Sequence, residues 1–323
     1  MAGKKLIGGI VLGLAVLSLV VLLVRAGNYR QGPANGGLGA ASGKGLVGII
    51  EIEGVISGDY STSALFEGSV TGARTVAEQL REVSKDPDIK AVVLRINSPG
   101  GTPAASQEIA EEVNRLRESG VKVVTSMGDV AASGAYWIAS SSDMIVADPG
   151  TITGSIGVIM STQNYRGLYD KLGIEPQTVK SGEYKDMGSS DRPMTAEERK
   201  LFQAMVDDTY EQFVETVSKG RKISPQAVRD LQGRALTGRQ ALNAGLVDQL
   251  GNYYDAVSLA GEISGLGKIP DTRVIGETSK WWRFLGGIEG ATGSFSPVML
   301  RLENCPDYSG RVGELESWKV GKN

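Results

Sequence analysis

The middle of the chain alternates between two hydrophobic periods. Residues 46–52, 90–96 and 121–126 are short, nearly continuous apolar runs, which is typical of buried strands. Between them, residues 75–84 and 106–119 carry apolar side chains at helical spacing. Strands that alternate with helices in this way form a parallel sheet with crossover helices, so the pattern predicts an α/β fold.

The second half of the chain is marked by helix-start signals. Thr195 and Glu198 form a capping box ahead of a long amphipathic helix, which we predict to end at Gly220. Three shorter predicted helices follow, beginning after Ser224, within 237–251 and at Asp255. We also predict a turn over 97–101, a helix beginning at or beside Ser133 and a short strand over 144–147.

The N-terminal segment is a different kind of hydrophobic run. Leu6–Val24 contains only apolar residues, Gly and Ser, and as a helix it would span about 29 Å, roughly one bilayer core. It is longer than the apolar region of a cleaved signal peptide, and Arg25 makes a poor cleavage site. We therefore predict a single-pass anchor in the lipid of the cell membrane. Lys4 and Lys5 weakly favour a cytoplasmic N-terminus, with the catalytic domain outside the cytoplasm.

Composition divides the chain into four predicted parts. Residues 1–27 form the cytoplasmic stub and transmembrane anchor, and residues 28–44 are a Gly- and Ala-rich linker. Residues 45–275 form the globular domain, and residues 276–323 are a C-terminal tail of different character.

The 323-residue chain contains no histidine, and this excludes several kinds of catalysis. Ser-His-Asp and Cys-His schemes need an imidazole, and so does a His-liganded metal site. Cys305 is the single cysteine, so neither an intramolecular disulfide nor a zinc site built from cysteines can form. A net charge of −3 without basic-aromatic runs gives no reason to expect nucleic acid. We predict no metal and no cofactor.

Ser133 is the candidate nucleophile, and without histidine its base must be a lysine, a carboxylate or a terminal amine. It follows a predicted strand and precedes Gly134, a position that exposes a hydroxyl and directs backbone N–H groups at a developing negative charge. A plain helix cap is the alternative. Gly100 lies in a Pro-Gly-Gly turn after another strand and could supply an oxyanion donor or be an ordinary turn. Lys185 is the candidate base, and Lys180 competes with it.

Taken together, four ordered motifs resemble those of bacterial signal peptide peptidase A in its short form. The motifs are LRINSPGG at 94–101, VAASGAY at 130–136, TGSIG at 153–157 and SGEYKD at 181–186. The first motif alone is shared with Clp-type proteases, so the ordered set carries the resemblance, which covers roughly residues 45–266.

The resemblance implies a membrane-anchored serine peptidase with a Clp/crotonase-like fold of repeated ββα units that degrades signal peptides and similar hydrophobic peptides. It implies that Ser133 is the nucleophile, that Lys185 is the general base and that Ser155 orients the lysine amine. Gly100 is the implied oxyanion donor, joined by Gly134. Members of the family form homo-oligomers, so we expect identical subunits to assemble.

Three other readings of the sequence are open. A Clp protease subunit served by an ATPase is disfavoured by the predicted anchor and the missing histidine. A crotonase-like enzyme acting on thioesters would need the backbone oxyanion hole but neither Ser133 nor Lys185. An inactive membrane scaffold is disfavoured because both residues are present.

Overall fold

A computed structural model of the chain describes residues 45–58 and 70–276. The strands in this part of the chain are β1 (Leu46–Ser57), β2 (Val70–Gly72), β3 (Ile89–Gly101), β4 (Lys122–Ala132), β5 (Met144–Ala147), β6 (Ile152–Gly154), β7 (Ala235–Thr237), β8 (Gln249–Leu250) and β9 (Thr272–Val274). The helices are α1 (Ala73–Val83), α2 (Pro103–Glu118), α3 (Gly134–Ser140), α4 (Arg166–Leu172), α5 (Ala196–Arg221), α6 (Pro225–Arg229), α7 (Gly238–Asn243) and α8 (Tyr253–Ile263).

The described strands form one mixed sheet that is almost entirely parallel. Its spine has the order β2-β1-β3-β4-β5-β8, and β9 joins β1 beside β2. Strand β6 pairs with the end of β4 and carries the antiparallel β7 on its other side. Strands that follow one another with helices between them lie side by side, as expected for crossover connections. The α/β class predicted from the sequence is confirmed.

The central strands are buried on both faces, which explains their continuous apolar runs. Neighbouring residues Ile49 and Ile50 enter different hydrophobic clusters, and so do Val92 and Val93. One cluster packs against α1, α2, α3 and α5, while the other is covered by α8. The sheet is therefore the middle layer of a three-layer domain.

Helix α3 is completely buried and is held by α5. Trp137 of α3 stacks on Phe213 of α5, with ring centroids 4.4 Å apart. The hydroxyl of Tyr136 donates a hydrogen bond to the Leu246 carbonyl at 2.8 Å, and burial raises its pKa well above the ordinary value. Gly220 touches the Ser140 carbonyl so closely that an added Cβ would lie 2.0 Å from it. These contacts fix the helix that begins at Ser133.

Two predicted boundaries were wrong. Strand β3 continues through residues 97–101, where we predicted a turn, because those residues still pair with β1 and β4. Helix α5 does not end at Gly220 but at Arg221, and Lys222 takes the left-handed conformation with φ 55°. Gly220 is needed inside the helix for the close approach to α3. The capping box of Thr195 and Glu198 is confirmed.

The predicted membrane anchor at Leu6–Val24, the linker and the tail lie outside the described residues. Within residues 45–58 and 70–276, no helix has both the length and the apolar composition needed to cross a membrane.

Candidate active site

Ser133 lies at the junction between β4 and α3 in a conformation that favours glycine. Its φ of 54° and ψ of −125° are rare for a residue with a side chain and cost about 1–3 kcal/mol. The Ser133 N–H donates to the Gly154 carbonyl at 2.9 Å, and the Ser133 carbonyl accepts from the Trp137 N–H at 3.0 Å. The backbone is therefore held from both sides in a strained turn, similar to the strand-to-helix turn that carries the nucleophile in α/β-hydrolases.

The Ser133 hydroxyl does not cap α3. Among the described residues it has no hydrogen-bond partner, and the side chain is only partly buried. Gly134 is the first residue of the helix, so its N–H has no carbonyl one turn back inside the helix to bind. The alternative of a plain serine cap is not what the structure shows. A free hydroxyl stands beside a helix N-terminus that can receive negative charge.

Gly100 lies directly against this junction. Its φ is 103°, and a Cβ added to it would lie 2.7 Å from the Gly134 nitrogen and 2.9 Å from the Ser133 Cβ. Only glycine fits here, because both the conformation and the space exclude a side chain. The Gly100 N–H donates to the Oγ of the fully buried Ser98 at 3.1 Å, a partner that the sequence reasoning missed.

Ser155 is brought next to Ser133 by strand pairing. Ala132 of β4 pairs with Gly154 of β6, so the two serines follow directly on paired residues. Ser155 has a φ of 50°, and its N–H donates to the Arg234 carbonyl at 2.9 Å. The structure therefore brings four of the five predicted site residues around one junction: Ser133, Ser155, Gly100 and Gly134.

Among the described residues, Lys185 makes no hydrogen bond or ion pair with the residues of that junction. It is exposed, in a turn closed by a hydrogen bond from its own N–H to the Gly182 carbonyl at 3.2 Å. Within the described residues, its amine makes no hydrogen bond to Ser133 or Ser155. The competing Lys180 is engaged, since its Nζ lies 2.7 Å from Asp186 Oδ1 and 2.9 Å from the Glu183 carbonyl oxygen.

A cluster of four charged residues surrounds the Lys185 turn, and the sequence reasoning did not find it. It consists of Lys180, Asp186, Arg192 and Glu198. Arg192 binds Asp186 with a two-pronged contact and also binds Glu198 at the start of α5. Arg192 and Lys180 hold the pKa of the Asp186 carboxyl far below its usual range, and Arg192 lowers that of Glu198 to about 2. We name this set the Arg192 cluster.

The described residues contain no group of three or more Cys, Asp or Glu side chains arranged to hold a metal ion.

Comparison with known proteins identifies the family. The model of "Peptidase family S49" matches residues 115–266. A putative signal peptide peptidase SppA of Enterococcus faecium is 37% identical over 269 residues, which cover 77% of each chain. A putative protease of Synechocystis sp. is 43% identical over 197 residues, or 61% of this chain and 71% of the relative. Protease 4 of Haemophilus influenzae is 35% identical over 73% of this chain, but only 37% of that longer protein is covered.

Similarity to solved structures is more limited. A ClpP1 variant from Listeria monocytogenes is 15% identical, with a TM-score of 0.43, over 65% of this chain and 94% of that one.

The named relatives are proteases, and the chain is a serine peptidase. It belongs to peptidase family S49 and is of the signal peptide peptidase A type. Family membership thus favours peptide hydrolysis over the thioester and scaffold alternatives.

Proposed function

We propose that this chain is a membrane-anchored endopeptidase that degrades cleaved signal peptides and similar hydrophobic peptides with a Ser133/Lys185 dyad. One observation carries the proposal. Ser133 presents an unbonded hydroxyl from a strained junction, between the backbone of Gly100 and the N-terminus of a buried helix. Strain of this kind persists only where the surrounding structure enforces it, and it is concentrated at functional sites. The full proposal also includes the Clp/crotonase-like topology that the motifs imply.

The proposal assigns one step of peptide hydrolysis to each of these groups. The neutral amine of Lys185 takes the proton of Ser133 Oγ while that oxygen attacks the scissile carbonyl carbon. The N–H groups of Gly134 and Gly100 receive the oxyanion, and Gly100 exchanges its bond to Ser98 for the new one. The C–N bond then breaks, and the lysine ammonium protonates the leaving amine. Water, deprotonated by the same amine, hydrolyses the acyl-enzyme ester.

Lys185 is a better candidate than Lys180 on the basis of contacts. The Lys180 amine is engaged by the Asp186 carboxylate at 2.7 Å and by the Glu183 carbonyl at 2.9 Å, and neither contact is with the serine junction. A general base must be neutral, and the Lys185 amine has no carboxylate partner among the described residues. The Ser155 hydroxyl, next to Ser133, would accept a hydrogen bond from the lysine amine or donate one to it. Either bond would orient the amine.

Assembly from identical subunits and membrane attachment complete the proposal. Large apolar side chains are exposed in the segment around the lysine turn, including Ile159 at 90% and Val179 at 100% exposure. Such surface is typical of protein–protein contacts, and a covering copy would also desolvate the exposed Lys185. Leu6–Val24 would anchor the chain in the cell membrane, with the peptidase domain outside the cytoplasm.

The test is hydrolysis of a fluorescence-quenched, hydrophobic signal-peptide sequence by the full chain in detergent micelles. We would compare wild type with Ser133→Ala, Lys185→Ala and Lys180→Ala. Lys171→Ala is the matched control, because Lys171 is an exposed lysine of α4 with no ion-pair partner among the described residues. Folding and oligomer size are checked for every variant by circular dichroism and light scattering.

We expect Ser133→Ala to be inactive and Lys185→Ala to lose about 100- to 10,000-fold in kcat. Lys171→Ala should match wild type, and Lys180→Ala should stay active at alkaline pH. Wild-type activity in Lys185→Ala would contradict the Ser133/Lys185 dyad. If Lys180→Ala alone were inactive, Lys180 would be the general base instead. Fractionation of cells expressing the full chain, with and without residues 1–27, tests the anchor. A chain that is recovered without membranes in both cases contradicts it.

A further inference from the structure

Asp186 is the immediate neighbour of Lys185, and its carboxylate is fully occupied by other cations. Oδ2 accepts from Arg192 Nε at 3.0 Å, and Oδ1 accepts from Arg192 Nη2 at 2.9 Å and from Lys180 Nζ at 2.7 Å. The Asp186 side chain is 13% exposed. Lys185 therefore has an acidic neighbour in sequence whose charge is already paired.

Arg192 connects this carboxylate to the rest of the domain. Its Nη1 donates to Glu198 Oε2 at 2.9 Å, and its Nη2 also contacts Glu198 Oε1. Glu198 is 3% exposed, and the same carboxylate accepts the Thr195 N–H in the capping box of α5. A guanidinium suits this role because it binds two carboxylates through separate N–H pairs, which an ammonium cannot do.

The charges of the Arg192 cluster balance, with two cations and two carboxylates. The turn itself carries two other titratable groups, Glu183 and Tyr184, and both are exposed. Glu183 contributes only its carbonyl to Lys180. From α5, the acidic group that faces the cluster is Glu198. Asp186 is thus the largely buried carboxylate that is adjacent to Lys185 in sequence, and Arg192 and Lys180 pair its charge.

An unpaired carboxylate within a few ångströms of an amine favours the protonated amine. A protonated lysine cannot act as a general base. We propose that Arg192 is a positioning residue, which sequesters the Asp186 charge and fixes the turn so that Lys185 is available as the neutral base. This inference rests on the proposed function, because it assumes that Lys185 is the base.

The test is the pH dependence of kcat/KM for the full chain, with the peptide substrate above. In Arg192→Gln, Asp186 loses its strongest partner, so we expect the ascending limb to move by about one pH unit to higher pH. Activity at neutral pH then falls by about tenfold and recovers in alkaline solution. Arg192→Lys should fall between Arg192→Gln and wild type, because it keeps the charge but not the two-pronged contact.

Removal of the Asp186 carboxylate should shift the pH profile of kcat/KM in the opposite direction. Asp186→Asn leaves Lys180 and Arg192 with only Glu198 to balance them, so the limb should move to lower pH than in wild type. In the double variant Arg192→Gln/Asp186→Asn, the alkaline shift of the single Arg192 variant should disappear. A purely structural role of Arg192 would not be repaired by the loss of its second partner. If Arg192→Gln fails to fold, Asp186→Asn alone still tests the sign.

Arg229→Gln is the matched control, because Arg229 makes a similar two-pronged contact with Glu211 of α5 outside the Arg192 cluster. It should leave the profile unchanged. An Arg192→Gln profile that falls equally at every pH, or an Asp186→Asn profile that does not move, overturns the inference, and the dyad still stands if Lys185→Ala shows its expected loss in kcat. Full activity in Lys185→Ala overturns the dyad and the inference together, so the two failures are distinguishable.

Discussion

Ser133 and Ser155 follow directly on the paired residues Ala132 and Gly154, and both have positive φ values, 54° and 50°. The pairing continues beyond the strands, since the Ser133 N–H donates to the Gly154 carbonyl. Two adjacent chain segments thus leave the sheet together in conformations that favour glycine. Such an arrangement presents two hydroxyls at one edge of the sheet, where ligands bind in parallel α/β folds.

The strain at Ser133 leads to a prediction on stability. Ser133→Ala removes the hydroxyl but keeps the Cβ, whereas Ser133→Gly also relieves the conformation. We expect both variants to be inactive and the Gly variant to be more stable than the Ala variant by about 1 kcal/mol, after the entropic cost of glycine is subtracted. Urea unfolding of the two variants measures this difference. Equal stability, or a less stable Gly variant, would show that the turn is unstrained.

Gly100→Ala tests the fit of the backbone against the junction. The new Cβ would meet the Gly134 nitrogen at 2.7 Å, and the φ of 103° is unfavourable for alanine. We expect a loss of about 1–3 kcal/mol in the free energy of unfolding and a fall in kcat of at least about 100-fold, as for loss of one oxyanion donor. Gly150→Ala is the control, since no atom lies within 4 Å of a Cβ added at that position. A fully active Gly100→Ala enzyme contradicts the proposed oxyanion site.

Ser98→Ala separates stability from catalysis. It removes the acceptor of the Gly100 N–H from a fully buried position, which costs about 1–3 kcal/mol. The same N–H becomes available to the oxyanion, so we expect kcat to stay within tenfold of wild type at temperatures well below the melting transition. Thermal melts and initial rates on the same samples give both values. A loss of 100-fold or more in kcat would place the Ser98 hydroxyl in the catalytic machinery.

The ion pair between Glu198 and Arg192 leads us to predict that the folded chain loses stability in acid. Arg192 lowers the Glu198 pKa to about 2 in the folded chain, below the ordinary value of about 4.3. A depressed folded-state pKa stabilises the fold above pH 4.3, and this contribution is lost as pH falls toward 2. We expect Glu198→Gln to be less stable than wild type at pH 6 and to converge with it near pH 2. Unfolding by urea at several pH values checks this.

Glu211→Gln is the comparison for that experiment. Arg229 also lowers the Glu211 pKa, but the Glu211 side chain is 46% exposed, so solvent screening should make its effect smaller. A larger effect at Glu211 than at Glu198 would contradict the importance of the Arg192 cluster for the fold.

The elements that carried local signals could be predicted from the sequence. Apolar runs gave the buried strands, and the capping box at Thr195 gave the start of α5. Strands β6 and β9 have three residues each and were missed, because they are strands only through pairing with distant neighbours. The end of α5 was misplaced because Gly220 has a packing role that a local pattern cannot distinguish from a C-terminal cap.

The candidate site was predictable to a different degree. The motifs gave the residues at the serine junction, and the strand ends brought Ser133, Ser155 and Gly100 together. The strained conformation of Ser133 depends on a hydrogen bond to Gly154, which is distant in sequence, so a local sequence pattern cannot predict it. Arg192 follows Asp186 by six residues in irregular chain, which matches neither the helical nor the strand period. The roles of Lys185 and its partners stay predictions.

Helix α5 has one end at the Arg192 cluster and the other against α3, where Phe213 stacks on Trp137. Its 26 residues correspond to about 39 Å. Deletion of a single residue from its exposed stretch would shorten it by about 1.5 Å and turn everything N-terminal by about 100° around its axis. Arg192 and its partner Glu198 would move on the resulting arc, while α3 and Ser133 stayed in place. The length of this helix therefore sets the distance between the Arg192 cluster and α3, and an insertion or a deletion within it would change that distance.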